Sequence, residues 1–205
     1  VASTMDVAVS TVGGDRIAAV LRYTGRGVTV ALVDSGIATS TALPPSRILA
    51  SVDFTSATPS GQDAFGHGTH VAGIIGGSGT HGTVRGVAPG VRFVSLRVLD
   101  GQGTGYTSDV IEAIDWAIAQ RATYRIRVLN LSLGHPPMES YTTDPLARAV
   151  ERHVMRHDER AGFADLQPAR HVHPSFGQHV HFFQQGRGRQ HHAIADVTGH
   201  VVAQD

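Results

Sequence analysis

The sequence predicts an α/β protein with a doubly wound parallel sheet and flanking helices. Four nearly continuous apolar runs alternate along the chain with segments that have helical spacing. Continuous apolar runs are typical of parallel strands, because helices cover both faces of such a sheet. An alternation of strand and helix is connected most simply by right-handed crossovers within one parallel sheet.

The predicted elements follow one another closely along the chain. The strands are predicted at residues 28–36, 47–54, 91–99 and 126–134. A short helix is predicted at residues 15–21, and residues 107–120 show helical spacing. The apolar positions of that second helix are expected to face the sheet: Val110, Ile111, Ile114, Ala117 and Ile118. Asp144 is placed to cap a last helix that begins at Pro145.

Composition argues against several classes of function. The chain has 205 residues, enough for one domain with a sizeable core, and its formal net charge is zero. A neutral chain has no bulk attraction for nucleic acid or for an anionic membrane, so neither partner is predicted. No apolar run reaches the roughly 18 residues of a membrane span. The chain also has no cysteine that could form a disulfide.

The most specific stretch is residues 66–73, Gly-His-Gly-Thr-His-Val-Ala-Gly. The residues around His67 have small side chains, so the backbone and the imidazole are the groups that can act at this place. The apolar residues that follow predict a buried helix. Upstream, the first predicted strand ends at Asp34, and open α/β sheets place their sites at the carboxyl ends of strands. The alternative interpretation of Asp34 alone is a solvated loop carboxylate, and that of His67 alone is a helix-capping histidine.

Together, the two stretches resemble motifs of the subtilisin-like serine proteases, the subtilases of peptidase family S8. Asp34-Ser35-Gly36 matches the aspartate motif of that family, and residues 67–73 match its histidine motif. The order along the chain, Asp before His, is also that of the family. The resemblance implies a serine endopeptidase in which Asp34 orients His67 as the general base. It also implies a polypeptide substrate, no cofactor and, by family habit, secretion, although no signal peptide is recognisable.

Two further segments resemble the walls between which a subtilase holds its substrate as an added strand. One is Gly103-Thr104-Gly105, and the other is Ser132-Leu133-Gly134. Small side chains suit this purpose, because they leave backbone N–H and C=O groups within reach of a peptide. The alternative is that each segment is an ordinary strand end with a turn glycine, and this alternative weighs more for the first segment.

The family pattern stops after Gly134. Subtilases continue with an Ala-Gly-Asn segment, whose Asn stabilises the oxyanion, and with a Gly-Thr-Ser-x-Ala segment that carries the nucleophile. This chain has no Asn after Asn130, and its remaining serines, Ser140 and Ser175, lack the flanking motif. We therefore expect a truncated and inactive member of the family, a fragment or a processed product of a longer chain.

Metal and phosphate sites are not predicted in the family-like part. The glycine-rich residues 76–82 follow a predicted helix and lack the Lys-Ser/Thr ending of a phosphate-binding loop. Several subtilases hold calcium in this region, but no Asn or Asp lies between Ile74 and Gly90, so no calcium is expected here.

The chain is predicted to have two parts. Residues 1–151 form the family domain, and residues 152–205 form a His/Arg-rich tail. Nine of the 13 histidines lie from His153 onward, and no buried strand is evident there. One interpretation is a non-enzymatic metal-binding protein that uses three pairs: His171 and His173, His179 and His181, and His191 and His192. The others are a disordered segment and an out-of-frame translation.

The out-of-frame interpretation is favoured by codon statistics. Residue types whose codons mostly begin with A or T number 49 of the first 152 residues and 8 of the last 53. A frame shift in a GC-rich gene produces such a loss, because it moves a G- or C-rich third codon base into first place. The whole chain lacks lysine and has one asparagine, which fits a GC-rich gene.

Overall fold

A six-stranded sheet runs through the part of the chain that the structure, a computed structural model, describes. The described residues are 9–55, 62–80, 83, 85–135, 139–158, 179–186 and 189–196, with backbone alone from residue 153. The strands are β1 (Thr29–Asp34), β2 (Ile48–Asp53), β3 (Arg92–Arg97), β4 (Ile126–Leu131), β5 (His179–Gly186) and β6 (Arg189–Asp196). Their order across the sheet is β2-β3-β1-β4-β6-β5.

The first four strands pair in parallel, which confirms the predicted fold class. From β1 the chain goes outward to β2, returns to β3, and then crosses β1 to form β4 on its other side. The winding therefore changes direction at β1, and in open α/β sheets ligands bind outside the strand ends at such a point. Asp34 is the last residue of β1 and lies at this place.

The helices lie close to their predicted positions. They are α1 (Gly14–Val20), α2 (His67–Gly76), α3 (Thr107–Tyr124) and α4 (Pro145–Asp158), and a 3-10 helix (Pro45–Arg47) precedes β2. The cap of α4 is confirmed, because the Asp144 carboxylate accepts the Ala147 N–H at 2.8 Å. The inward face of α3 also includes Ala113, which the sequence analysis did not assign to it.

Two apolar cores cover the two faces of the sheet, and β1 contributes to both because successive side chains of a strand point to opposite faces. Val30 and Leu32 pack with Phe93 and with Ala72 of α2 on one face. Ala31 and Val33 pack on the other face against the core formed with α3 and α4. Burial of every side chain of β1 explains the unbroken apolar run in the sequence.

The sequence shows no evident buried strand from His153 onward, and the structure describes two strands there by their backbone. In the structure β5 and β6 form an antiparallel pair, and β6 lies parallel to β4 through Asn130↔Ile194 and Leu131↔Ala195. The free edge of β4 offers unpaired backbone groups that an extended segment can join whatever its side chains, so the sequence pattern gave no sign of it. Helix α4 also passes the predicted boundary at residue 151. The two-part division and the origin of the tail stay predictions.

None of the helices in the described residues is both long enough and apolar enough to span a membrane.

Candidate active site

Asp34 and His67 meet at the carboxyl edge of the sheet. Asp34 closes β1 and is fully buried, and His67 is the first residue of α2. The Nδ1 atom of His67 lies 2.8 Å from Oδ1 of Asp34 and 3.0 Å from Oδ2. A hydrogen bond from Nδ1 to the carboxylate fixes the imidazole tautomer and leaves Nε2 to exchange a proton. The predicted pair is thus brought together by the fold.

The environment of Asp34 has opposing effects on the pKa of its carboxyl. Burial raises the pKa, since an ionised carboxylate is poorly solvated inside the protein. Hydrogen bonds from His67 and from the Ser35 backbone N–H lower it, but they do not cancel the effect of burial. The Ser35 N–H donates to Oδ1 at 2.7 Å. The net result is a raised pKa for Asp34.

Close approach of α2 to β1 requires glycine at position 68. A Cβ on Gly68 would collide with the carbonyl oxygen of Gly36, and it would lie 3.1 Å from both Cβ and Oδ1 of Asp34. Glycine therefore lets the first turn of α2 lie directly against the strand end, which brings the His67 ring within reach of the carboxylate. The small residues on both sides of His67 in the sequence fit this close approach.

Asp63 is part of the site, and the sequence analysis missed it. Its carboxylate accepts hydrogen bonds from the N–H groups of Gly66 and Thr69 and from the hydroxyls of Thr69 and Ser35. Burial raises the pKa of Asp63, but the hydrogen bonds from Thr69, Gly66 and Ser35 outweigh it, and the pKa is lowered. One feature of the sequence could have indicated Asp63: an acidic residue lies just before a helix whose N-cap is glycine. A carboxylate there interacts favourably with the N-terminus of the helix.

The two predicted substrate walls leave the sheet on either side of β1. The first, Gly103 to Gly105, follows β3, and the second, Ser132 to Gly134, follows β4. Because Val33 is in register with Leu131, the second wall begins level with Asp34. The strand end that carries Asp34 therefore lies between the two segments. Their contact with a peptide stays a prediction.

The first wall is held by its own loop and by Phe65. The Asp100 carboxylate accepts the N–H groups of Gln102 and Thr104 and the Thr104 hydroxyl, which fixes a tight turn. Gly103 has a φ of +77°, and a Cβ there would meet the Phe65 ring at 2.5 Å. The same ring lies 6.4 Å from the His67 ring between centroids. Phe65 thus connects the first wall to the imidazole.

Of the two serines named as remaining nucleophile candidates, Ser140 is not brought into this constellation. Ser140 is exposed in the turn before α4, where its hydroxyl pairs with that of Thr142 at 3.0 Å. Ser175 lies outside the described residues.

Metal-binding potential can be assessed only where side chains are described. No group of three or more His, Asp, Glu or Cys side chains there has the arrangement of a metal site. His171 and His173 lie outside the described residues, and the other histidines of the metal hypothesis lie in β5 and β6, of which the structure describes the backbone. The metal hypothesis for the tail stays untested.

Comparison with known proteins agrees with this geometry. The model of the Subtilase family matches residues 25–170, a range that extends past the predicted domain boundary at residue 151. Serine protease AprX of Bacillus subtilis (strain 168) is 38% identical over 135 residues, which are 62% of this chain and 30% of AprX. Subtilisin Savinase of Lederbergia lenta is 36% identical over 132 residues, which are 64% of this chain and 46% of Savinase.

A solved structure gives the same result for the fold. The crystal structure of a cold adapted subtilisin-like serine proteinase matches with a TM-score of 0.52 and 34% identity, covering 65% of this chain and 44% of that one. The chain thus spans less than half the length of each of these relatives. From the family match over residues 25–170, together with these similarities, it follows that the chain belongs to the Subtilase family.

Proposed function

We propose that this chain carries the acid–base half of a subtilisin-like serine endopeptidase, with His67 as general base and Asp34 as the residue that orients it. The supporting observation is the 2.8 Å contact between His67 Nδ1 and a fully buried carboxylate. In acyl transfer, Nε2 takes the proton of the attacking hydroxyl and later gives it to the leaving amine, while Asp34 stabilises the imidazolium that forms in between.

A polypeptide is the proposed substrate. A peptide in extended form between residues 103–105 and 132–134 would add a strand beside the end of β1 and bring its scissile carbonyl towards His67. Leu133 is buried, and positions 103, 105 and 134 are glycine, so few side chains would face such a peptide. Secretion follows from the family's habit and is part of the same proposal.

The chain as it stands is proposed to be inactive, because neither the nucleophile segment nor the oxyanion Asn occurs in it. The tail is proposed to come from a shifted reading frame. The gene should then encode Ala-Gly-Asn and Gly-Thr-Ser-x-Ala downstream of Arg152 in one of the other two frames.

A fluorophosphonate probe, which reacts with activated serines, tests both statements. The 205-residue chain should not be labelled, whereas a chain continued in the restored frame should be labelled at one serine. His67→Ala in the restored chain is the matched control and should abolish labelling. Labelling of the present chain that disappears in Ser140→Ala or Ser175→Ala would refute the proposed inactivity.

The competing hypothesis is a metal-binding protein that uses the tail, and calorimetric titration with Zn²⁺ separates the two. An accidental tail should bind zinc weakly and without defined stoichiometry. A single site tighter than about 1 μM, equivalent to roughly −8 kcal/mol, that is lost when His171 and His173 are changed to Ala would favour the metal-binding protein. The restored-frame chain, which lacks those histidines, serves as the control.

A further inference from the structure

The carboxylate of Asp63 accepts four hydrogen bonds within the protein. Its Oδ1 accepts the Gly66 N–H at 2.7 Å and the Ser35 hydroxyl at 2.8 Å. Its Oδ2 accepts the Thr69 N–H at 2.7 Å and the Thr69 hydroxyl at 2.6 Å. Asp63 thereby joins the start of the helix that carries His67 to the residue that follows Asp34.

Helix α2 depends on these outside groups, because its own N-cap offers none. The N-cap residue, Gly66, has a left-handed backbone with φ +93° and no side chain. A helix leaves its first N–H groups without partners in the helix itself. Asp63 accepts the Thr69 N–H, and the Ser35 oxygen accepts the Gly68 N–H at 2.9 Å. The turn that holds His67 is therefore fixed by two side chains outside the helix.

The Ser35 hydroxyl has one hydrogen and two carboxylates within reach. Its oxygen lies 2.8 Å from Oδ1 of Asp63 and 3.2 Å from Oδ1 of Asp34. A serine hydroxyl donates one hydrogen bond, so only one carboxylate receives it. The shorter distance favours Asp63. Oδ1 of Asp34 already accepts the Ser35 N–H and lies closest to His67 Nδ1, so a third donor there would compete with the imidazole.

We propose that Asp63 is a positioning residue for the Asp34–His67 pair. It draws the Ser35 hydroxyl away from Asp34, so that the Asp34 oxygens remain for His67, and it holds the first helical turn in place. The inference relies on the proposed function only for the catalytic meaning of the pair. The hydrogen-bond arrangement itself can be measured in the present chain, without a nucleophile.

The Nδ1 proton of His67 reports on this arrangement by NMR. A proton in a charge-assisted hydrogen bond between imidazole and carboxylate resonates downfield of the amide region, and its loss in His67→Ala assigns it. In Asp63→Asn the amide is a poorer acceptor, so the Ser35 hydroxyl should turn to Asp34 and weaken the bond to His67. The resonance should then move upfield and its exchange with water should become faster.

The decisive measurement is the double variant. Ser35→Ala removes the competing hydroxyl, so adding Asp63→Asn to Ser35→Ala should leave the chemical shift close to that of the Ser35→Ala single variant. A role limited to capping α2 predicts the opposite, because Asn at position 63 is a weaker acceptor for the Thr69 N–H whether or not the Ser35 hydroxyl is present, and the double variant should then depart further from wild type than either single variant.

The remaining outcomes also decide the matter. An unchanged resonance in Asp63→Asn would overturn the proposal. Loss of the folded amide spectrum in Asp63→Asn, with Ser35→Ala still folded, would also overturn it, since Asp63 would then be a structural anchor only. Failure of the proposed function would appear as absent probe labelling in the restored-frame chain. That result would leave these chemical shifts as they are, so the two failures can be told apart.

Discussion

In the Asp34→Asn variant, the proton on His67 should move from Nδ1 to Nε2. The Ser35 N–H at 2.7 Å requires an oxygen at the Oδ1 position, so the new amide nitrogen takes the place of Oδ2, 3.0 Å from His67 Nδ1. This position is fully buried, and a buried N–H without an acceptor costs about 1–3 kcal/mol. The imidazole can accept that N–H only when Nδ1 carries no proton.

The tautomer change removes the lone pair that a general base needs at Nε2. In a complete Ser-His-Asp triad, the same substitution lowers kcat about 10⁴-fold. In the present chain, ¹⁵N NMR of labelled histidine distinguishes the two tautomers directly. Retention of the proton on Nδ1 in Asp34→Asn would contradict this account of the site.

Stability should respond to Asp34→Asn in a pH-dependent way. Because burial raises the pKa of folded Asp34, its contribution to stability is fully present below the unfolded pKa, about 3.9, and is lost as pH rises through the folded pKa. The free energy of unfolding of the variant should therefore rise relative to that of wild type as pH increases from about 4 until folded Asp34 has ionised. Urea titrations at a series of pH values measure the difference.

The sheet was predictable from sequence because its signals are local. Each residue of β1 is buried, so the strand reads as an unbroken apolar run, and the sharp boundary at Asp34 marks its end. The pairing of Asp34 with His67 was predictable for a different reason: both residues stand in long motifs of a known family. Neither inference needs distances between side chains.

Asp63 and the strands of the tail were missed because they depend on neighbours distant in sequence. Asp63 lies 28 residues from Ser35 in the chain, and only the folded loop reveals that they bond at 2.8 Å. The pairing of β6 with β4 uses backbone groups, which all residues share, so no side-chain pattern indicates it.

Two glycines of α2 should respond in opposite ways to alanine. At Gly73 a Cβ would find no heavy atom within 4 Å, so Gly73→Ala should stabilise the protein by roughly 0.5–1 kcal/mol, the usual gain inside a helix. At Gly68 a Cβ would strike the backbone oxygen of Gly36 and lie 3.1 Å from Asp34. A backbone oxygen at a strand end cannot swing aside as a long side chain does, so the helix itself must move.

Gly68→Ala should therefore cost about 1–3 kcal/mol, as overpacking of a close contact does. It should also separate His67 Nδ1 from the Asp34 carboxylate, because His67 is the residue next to the collision. Urea unfolding gives the first quantity, and the low-field Nδ1 resonance reports the second, with Gly73→Ala as the control in the same helix. Both glycines lie in α2, so the difference between the two variants isolates the contact with β1. If Gly68→Ala were as stable as Gly73→Ala and kept the resonance, close approach of α2 to β1 would not be what brings the pair together.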